Sequence, residues 1–444
     1  MSGVCIENSL TEIEQIMKSI SIYIHIPFCV KKCQYCDFLS APADSRAQEV
    51  YLRALKQEIR EQAARYREYE VQTVFIGGGT PTAVPCEKLC EVLKTVFTCY
   101  RVNPQTEISM EANPGTVTKE ALLSYRKAGI NRLSIGLQSA DDGELKLLGR
   151  IHTYRDFLQT YRWAQEAGFT NINLDIMSAL PGQSVENYKK TLETVLSLRP
   201  QHISAYSLIV EEGTPFYEKY GQESEKLQAT GEKQPDLPSE EEEREMYALT
   251  EKLLAAAGYH RYEISNYALP GMECRHNRVY WKRGNYVGFG LGAASMVENV
   301  RFENTRKMQE YLTEYAGVPG AEPVSAEVTQ GDAQALSNEQ EFSLREDTHS
   351  ENAQVLSIRE NVHPLSPQEQ MEETMFLGLR LTEGVSKAEF HRQFGVSMEQ
   401  IYGEVIRKNT AKGLLIDEAG YVCLTREGMD LSNYVMAQFL LDEV

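Results

Sequence analysis

The sequence predicts an α/β protein built on a parallel sheet, and two observations carry that prediction. From residue 20 to about 210, short β-branched runs alternate with amphipathic stretches, and the unusual polar and glycine-rich residues follow the runs. Strands that alternate with helices form βαβ units with right-handed crossovers. Six such units build either an open doubly wound sheet or a partial barrel, and periodicity alone does not choose between them.

The elements follow in order. The first run, Ile22–Ile26, leads into a loop holding Cys29, Cys33 and Cys36. Leu52, Leu55, Ile59 and Ala63 recur at helical spacing before the second run, Thr73–Ile76, which ends in Gly77-Gly78-Gly79-Thr80-Pro81. Glu111 closes the third run (Glu107–Glu111), Gln138 follows the fourth (Arg132–Leu137), and Asp175 lies near the end of the fifth (Asn171–Ile176). Tyr188, Leu192 and Val195 mark a helix before the sixth, His202–Leu208. Ligands of parallel α/β folds bind at the carboxyl ends of strands, so these residues are expected to converge on one mouth.

Past residue 210 the alternation lapses. Ser239 and Glu242 form a capping box for a helix running to roughly Ala257, closing a core unit at 1–265. A glycine- and aromatic-rich segment packs on that core over 266–318. Residues 319–367 hold nine acids, two bases and one aromatic, Phe342, too little apolar surface to bury, so they read as a flexible insert or linker. From 368 to 444 the pattern is three helices, a hairpin turning at Glu418-Ala419-Gly420 and a last helix, a small α+β, winged-helix-like domain. Its 13 acids against 7 bases favour structural packing or docking over DNA binding.

Composition sets the outer limits. The 444 residues carry 45 basic and 64 acidic side chains, net −19, which argues against nucleic acid as the main partner. No apolar run reaches the ~18 residues of a membrane span, and Met1–Lys18 lacks the basic end and apolar stretch of a secretory signal, so a cytoplasmic location is expected. Nine cysteines, an odd number, do not make the disulfide framework of a small secreted chain.

Cys29-x-x-x-Cys33-x-x-Cys36 is the strongest chemical signal. Three close thiolates grip a soft metal or an iron–sulfur cluster. On a four-iron cubane three ligands leave one iron open to an exchangeable group, which points to chemistry. The competing reading is structural zinc completed by His25, although zinc sites more often use two separated Cys pairs. Taken singly the other candidates are weaker. The glycine run could be a tight turn, Glu111 and Asp175 could be caps or ion-pair partners, Arg150 could lie on a solvated helix end, and a lone Gln138 signifies little.

Tyr23-x-His25-Ile26-Pro27-x-Cys29-x-x-x-Cys33-x-x-Cys36 followed by the glycine loop resembles a radical S-adenosylmethionine (SAM) protein. The resemblance implies a partial (β/α)6 barrel, a [4Fe–4S] cluster on Cys29, Cys33 and Cys36, and SAM bound to the open iron. It assigns SAM contacts to Tyr23, Gly78, Gly79, Thr80, Glu111, Gln138, Arg150 and Asp175. Within the superfamily the likeness extends over most of the chain to the porphyrin branch, made up of oxygen-independent coproporphyrinogen III oxidases and related haem chaperones. The oxidases carry a further Cys two residues past the triplet, where this chain has Phe38, and a longer segment before their cysteines.

His276-Asn277-Arg278-Val279-Tyr280-Trp281 matches the H-N-x-x-Y-W signature associated with haem binding in the chaperones, which implies His276 as haem ligand. From spacing alone a core Tyr-Trp pair beside a surface His is the better reading, and only the resemblance reverses it. Arg275, Arg278, Lys282 and Arg283 make a local positive patch that suits haem propionates. Cys274 reads as a buried free thiol and His25 as structural. A haem chaperone is therefore expected, with coproporphyrinogen III decarboxylation as the alternative. Its implied partners are haem, haem-accepting proteins, membrane-bound respiratory proteins among them, and an electron donor. Peripheral membrane association is compatible with this, and a homodimer is allowed on general grounds without a heptad or apolar seam to argue for it.

Overall fold

The computed structural model describes residues 17–221, 236–317 and 358–441. The expectation about the first residues, and most of the acidic 319–367 segment, lie outside the described residues.

Six parallel strands form the centre: β1 (Lys18–Ile26), β2 (Tyr69–Gly78), β3 (Arg101–Ala112), β4 (Arg132–Gln138), β5 (Ile172–Ser178) and β6 (His202–Ser207). Between them run helices α1 (Ser45–Gln62), α2 (Cys86–Cys99), α3 (Lys119–Lys127), α4 (Asp142–Leu147), α5 (Tyr154–Glu166) and α6 (Val185–Leu198). The strands lie in the order 1-2-3-4-5-6. A doubly wound sheet needs a reversal of that order, and none occurs, so the crossovers share one side and the six strands make a partial barrel.

Strand alternation divides the sheet into two unlike faces. Ile22, Ile24, Val74, Ile76, Met110, Leu133, Ile135, Leu174, Ile176 and Ile203 pack in one core with Leu52 and Leu55 of α1, Val92 of α2, Phe157 of α5 and Leu192 of α6. The opposite face is polar. Cross-strand partners Ser21 and Thr73, Phe75 and Ser109, Glu111 and Ser134, and Asp175 and Ser204 share it in register. A sheet with one apolar face packs its helices there and leaves the other face to line the lumen.

After α7 (Pro215–Tyr220), α8 (Glu240–Ala256) starts at the expected capping box, with Ser239 and Glu242 each accepting from the other's backbone N–H. The next segment does more than pack on the core. β7 (His260–Arg261) and β8 (Asn266–Ala268) extend the sheet antiparallel beyond β6. α9 (Arg275–Trp281) follows, and β9 (Tyr286–Phe289) then pairs parallel with the far side of β1. β10 (Ala294–Val297) and β11 (Val300–Asn304) continue outward, and α10 (Met308–Ala316) packs on α1. The described end of the expected linker is also ordered into this sheet: β12 (Arg359–Pro364) pairs antiparallel with β11.

The small C-terminal domain has α11 (Pro367–Gly378), β13 (Val385–Ser386), α12 (Lys387–Phe394), α13 (Met398–Ala411), the hairpin β14 (Leu415–Glu418) and β15 (Tyr421–Leu424), then α14 (Arg426–Asp430) and α15 (Ser432–Ala437). Ala419 and Gly420 both have positive φ, at 51° and 82°, which matches the twist of a two-residue hairpin turn. The expected last helix is two short ones. Phe390, Tyr402, Val422 and Phe439 form a separate apolar core. No described helix is long and apolar enough to cross a membrane.

Candidate functional site

The cysteine loop is tied down at several points. Cys29 N–H donates to the Ala41 carbonyl at 3.1 Å, Gln34 N–H to Leu148 at 3.0 Å, and Phe216 N–H back to Gln34 at 3.0 Å. The glycine turn lies directly against it, with Gly79 N–H on the Ile26 carbonyl (2.8 Å) and Thr80 N–H on the Phe28 carbonyl (2.7 Å). Gly78 has φ +113°, and a Cβ there would lie 2.5 Å from the His25 ring; one at Gly79 would lie 2.6 Å from the Phe28 carbonyl oxygen. The turn therefore needs glycine both for its backbone angle and for its fit under the cysteine loop.

Of the eleven positions expected to hold the cluster and SAM, all except Tyr23 line a single cleft at the carboxyl ends of the strands. The three thiols are free and partly exposed. Thr80 donates its hydroxyl to Cys29 Sγ at 3.5 Å, and Arg150 donates to Cys33 Sγ at 3.6 Å. His25 is buried, bonded through Nδ1 to the Tyr23 hydroxyl (3.0 Å) and through Nε2 to the Leu39 carbonyl (2.9 Å), in keeping with a structural role.

The carboxylates face the same cleft. Glu111 Oε2 accepts from Gly78 N–H at 3.1 Å. Burial, reinforced by the charge of Asp175, pushes its pKa up to about 8, so near neutrality it holds a proton and can both donate and accept. Asp175 accepts from Asn173 (2.7 Å) and Ser134 (3.3 Å), and burial raises its pKa as well. Arg150 reaches the Asn113 side chain at 2.7 Å and the Gly136 carbonyl at 2.8 Å, while its buried Nε has no partner among the described residues. Gln138 closes β4 with φ 71° at a register shift against β5, a strained conformation of the kind functional sites retain. Tyr23 stands on the same strand face at 6.3 Å from Phe75, and burial pushes its phenol pKa up.

Thiols with sulfur-directed donors, a glycine cradle and an orphaned guanidinium nitrogen fit a cluster on Cys29, Cys33 and Cys36 with an amino-acid-bearing cofactor beside it. Asn113 belongs to this set and was not singled out from the sequence. It bridges Thr80 (2.7 Å) and Arg150, and its place two residues past Glu111 at the end of β3 was the available signal.

His276 is placed differently from the expectation. It sits on α9 against Thr73, five residues before Gly78 on β2 and so about 16 Å down the strand from the cleft. It is 1% exposed, with Nδ1 on the Thr73 hydroxyl (2.7 Å) and Nε2 on the Tyr280 hydroxyl (2.8 Å). Its ring stacks on Phe75 at 5.2 Å. With both nitrogens engaged, the ring is not presented as an iron ligand in this conformation. Desolvation, assisted by Arg132, lowers its pKa to about 3. Glu107 fixes the helix by accepting the N–H groups of Arg275 (3.0 Å) and His276 (3.1 Å), a favourable place for an anion. The expected positive patch is largely compensated: Arg278 and Lys282 share Glu383, and Arg283 pairs with Glu373. Cys274 is buried, as read.

A partial parallel barrel with three thiols and a glycine turn at the mouth of its strands is the framework of the radical SAM superfamily. The pattern of that superfamily matches residues 23–195, and the HemN C-terminal domain matches residues 365–431. The chain is 36% identical over 421 residues to "Heme chaperone HemW" of Bacillus subtilis, covering 95% of this chain and 99% of that one. It is 32% identical to the protein of the same name in Lactococcus lactis, covering 97% and 99%. The chain belongs to this HemW family. Its fold also resembles that of coproporphyrinogen III oxidase (HemN) from Escherichia coli, with TM-score 0.74 at 20% identity over 96% of this chain and 91% of that one.

Proposed function

We propose that the chain is a haem chaperone that holds a [4Fe–4S] cluster and SAM in the strand-end cleft, binds haem, and delivers it to haem-requiring acceptor proteins. The observation that carries this reading is the end-to-end correspondence with relatives named heme chaperones. Phe38 agrees with it: the residue lies exposed at the cleft where the oxidase pattern has its further cysteine. Cys29, Cys33 and Cys36 hold the cluster. Glu111, Asp175 and Arg150 offer a proton donor, a carboxylate and a guanidinium to the polar groups of SAM. Gly78, Gly79 and Thr80 shape the cradle, while Tyr23 and Gln138 border it. The bound pair supplies one-electron chemistry, and the protein's part is to orient it and keep it from water.

The oxidase reading keeps one supporting observation, the shared fold. Anaerobic incubation of cluster-loaded protein with SAM, a low-potential reductant and coproporphyrinogen III separates the two. No decarboxylation together with haem transfer to an apo-acceptor is expected, and protoporphyrinogen formation would overturn the chaperone reading. Cys33→Ala is expected to remove iron and labile sulfide from the protein, as measured by elemental analysis and colorimetry.

A further inference from the structure

Beneath the cleft, the polar face of the sheet carries a set of hydrogen bonds that ends on Asp175. Asn173 stands two residues before Asp175 on β5, on the same face. Its amide nitrogen donates to Asp175 Oδ1 and to the Ser134 hydroxyl, both at 2.7 Å. Its carbonyl oxygen accepts from His202 Nδ1 at 2.6 Å and from the Ser204 hydroxyl at 3.1 Å. Both donors and both lone pairs of the amide are in use, in one orientation. Turned over, it would set its oxygen against the Asp175 carboxylate.

His202 fixes that orientation from the neighbouring strand. It starts β6, in register with Asn173, and is fully buried. The Tyr262 oxygen accepts Cys274 N–H at 3.3 Å, which leaves its own proton for His202 Nε2 at 2.9 Å. The single proton of a neutral imidazole then lies on Nδ1, facing Asn173. Burial and the charge of Arg132 hold the ring well below its usual pKa, so it is neutral.

Resting on the reading of Asp175 as a SAM contact, we propose that His202, which does not line the cleft, is a positioning residue for SAM: through Asn173 it holds the Asp175 carboxylate in the orientation that meets the cofactor. A polar network with every member paired is stiff, and a group that meets a ligand needs such support to stay in place.

The test measures SAM affinity of full-length, cluster-loaded protein by equilibrium dialysis, with iron content and urea midpoint recorded for each variant. His202→Asn keeps an amide N–H near the place of Nδ1. His202→Gln meets Tyr262 in place of Nε2 and loses the donor to Asn173. Asn leaves the larger cavity, so a packing role alone makes it the worse variant in both stability and SAM affinity. Positioning reverses the order for SAM: binding is expected to be about tenfold weaker in His202→Gln and within about threefold of the unaltered protein in His202→Asn. Added to Asp175→Asn, His202→Gln is expected to bring no further loss, because the two act in series. Unchanged affinity in His202→Gln, a greater loss in His202→Asn, or additive losses in the double variant would overturn the proposal. Should a His202 variant lose its cluster, Ser204→Ala removes the other donor onto the same carbonyl. It is expected to weaken SAM binding about two- to fivefold, and unchanged affinity there overturns the proposal as well. Full SAM affinity in Asp175→Asn alone would overturn the reading of Asp175 as a SAM contact, and this proposal with it.

Discussion

Gly78 and His276 show how a single position can be governed by its surroundings rather than by its motif. Gly78→Ala puts a Cβ at φ +113° against the His25 ring, and the strain is expected to cost about 1–3 kcal/mol and to lower iron content. Urea unfolding and iron determination check both effects. His276, with its pKa lowered from 6.5 to about 3, adds stability that is complete above pH 6.5 and lost as the pH falls toward 3, because the unfolded chain takes the proton first. The stability advantage of the wild type over His276→Gln is therefore expected to shrink on acidification, at ~1.4 kcal/mol per pH unit within that window. Parallel denaturation series at neutral and acid pH measure it. At this scale the cleft was readable, since strand-end residues converge whatever the loops between them do. The burial of His276 was not, because its partners Thr73 and Glu107 lie some 200 and 170 positions away in the chain.

The elements that alternation marks were readable within a few residues, and those joined by distant pairing were not. β9 is four residues long with a central glycine, a pattern that resembles a loop until β1 supplies its partner. β12 lies in a stretch that composition marks as unable to fold alone, and it is ordered by pairing with β11. What fastens this later chain to the core is Glu58 of α1. Its carboxylate accepts from Gly290 N–H (2.8 Å), the Asn304 amide (2.6 Å) and the Tyr311 hydroxyl (2.6 Å). Burial pushes its pKa up to about 7 against those three donors. Glu58→Ala strands all three in the interior and is expected to cost about 3–5 kcal/mol, read from the urea midpoint.

At the scale of the whole molecule, the C-terminal domain is docked through a buried charge node. Glu373 of α11 accepts from Arg283 at 3.0 Å and from Arg301 of β11 at 2.7 Å. Removing the shared anion leaves two guanidinium groups facing each other, one of them 4% exposed. Glu373→Gln is expected to weaken docking by about 3 kcal/mol and to raise hydrogen exchange along α11 and α9 while sparing β1–β6. The two cores were separable in the sequence as a βα series followed by a helix-rich tail, but the ion pairs that join them span 90 and 72 residues and leave no local trace.

The placing of β9 beside β1 also governs when the protein can become functional. The strand that leads into the cysteine loop is made well before its partner on one flank, residues 286–289. At about 5–20 residues per second of synthesis, the intervening 260 residues leave that backbone edge open for roughly 13–50 s. An uncovered strand edge invites pairing with other chains, so the nascent chain passes through a period when it needs shielding. The loop after β1 has its hydrogen-bond partners, as far on as Phe216, before residues 286–289 are made, so the edge of β1 closes after the loop it feeds.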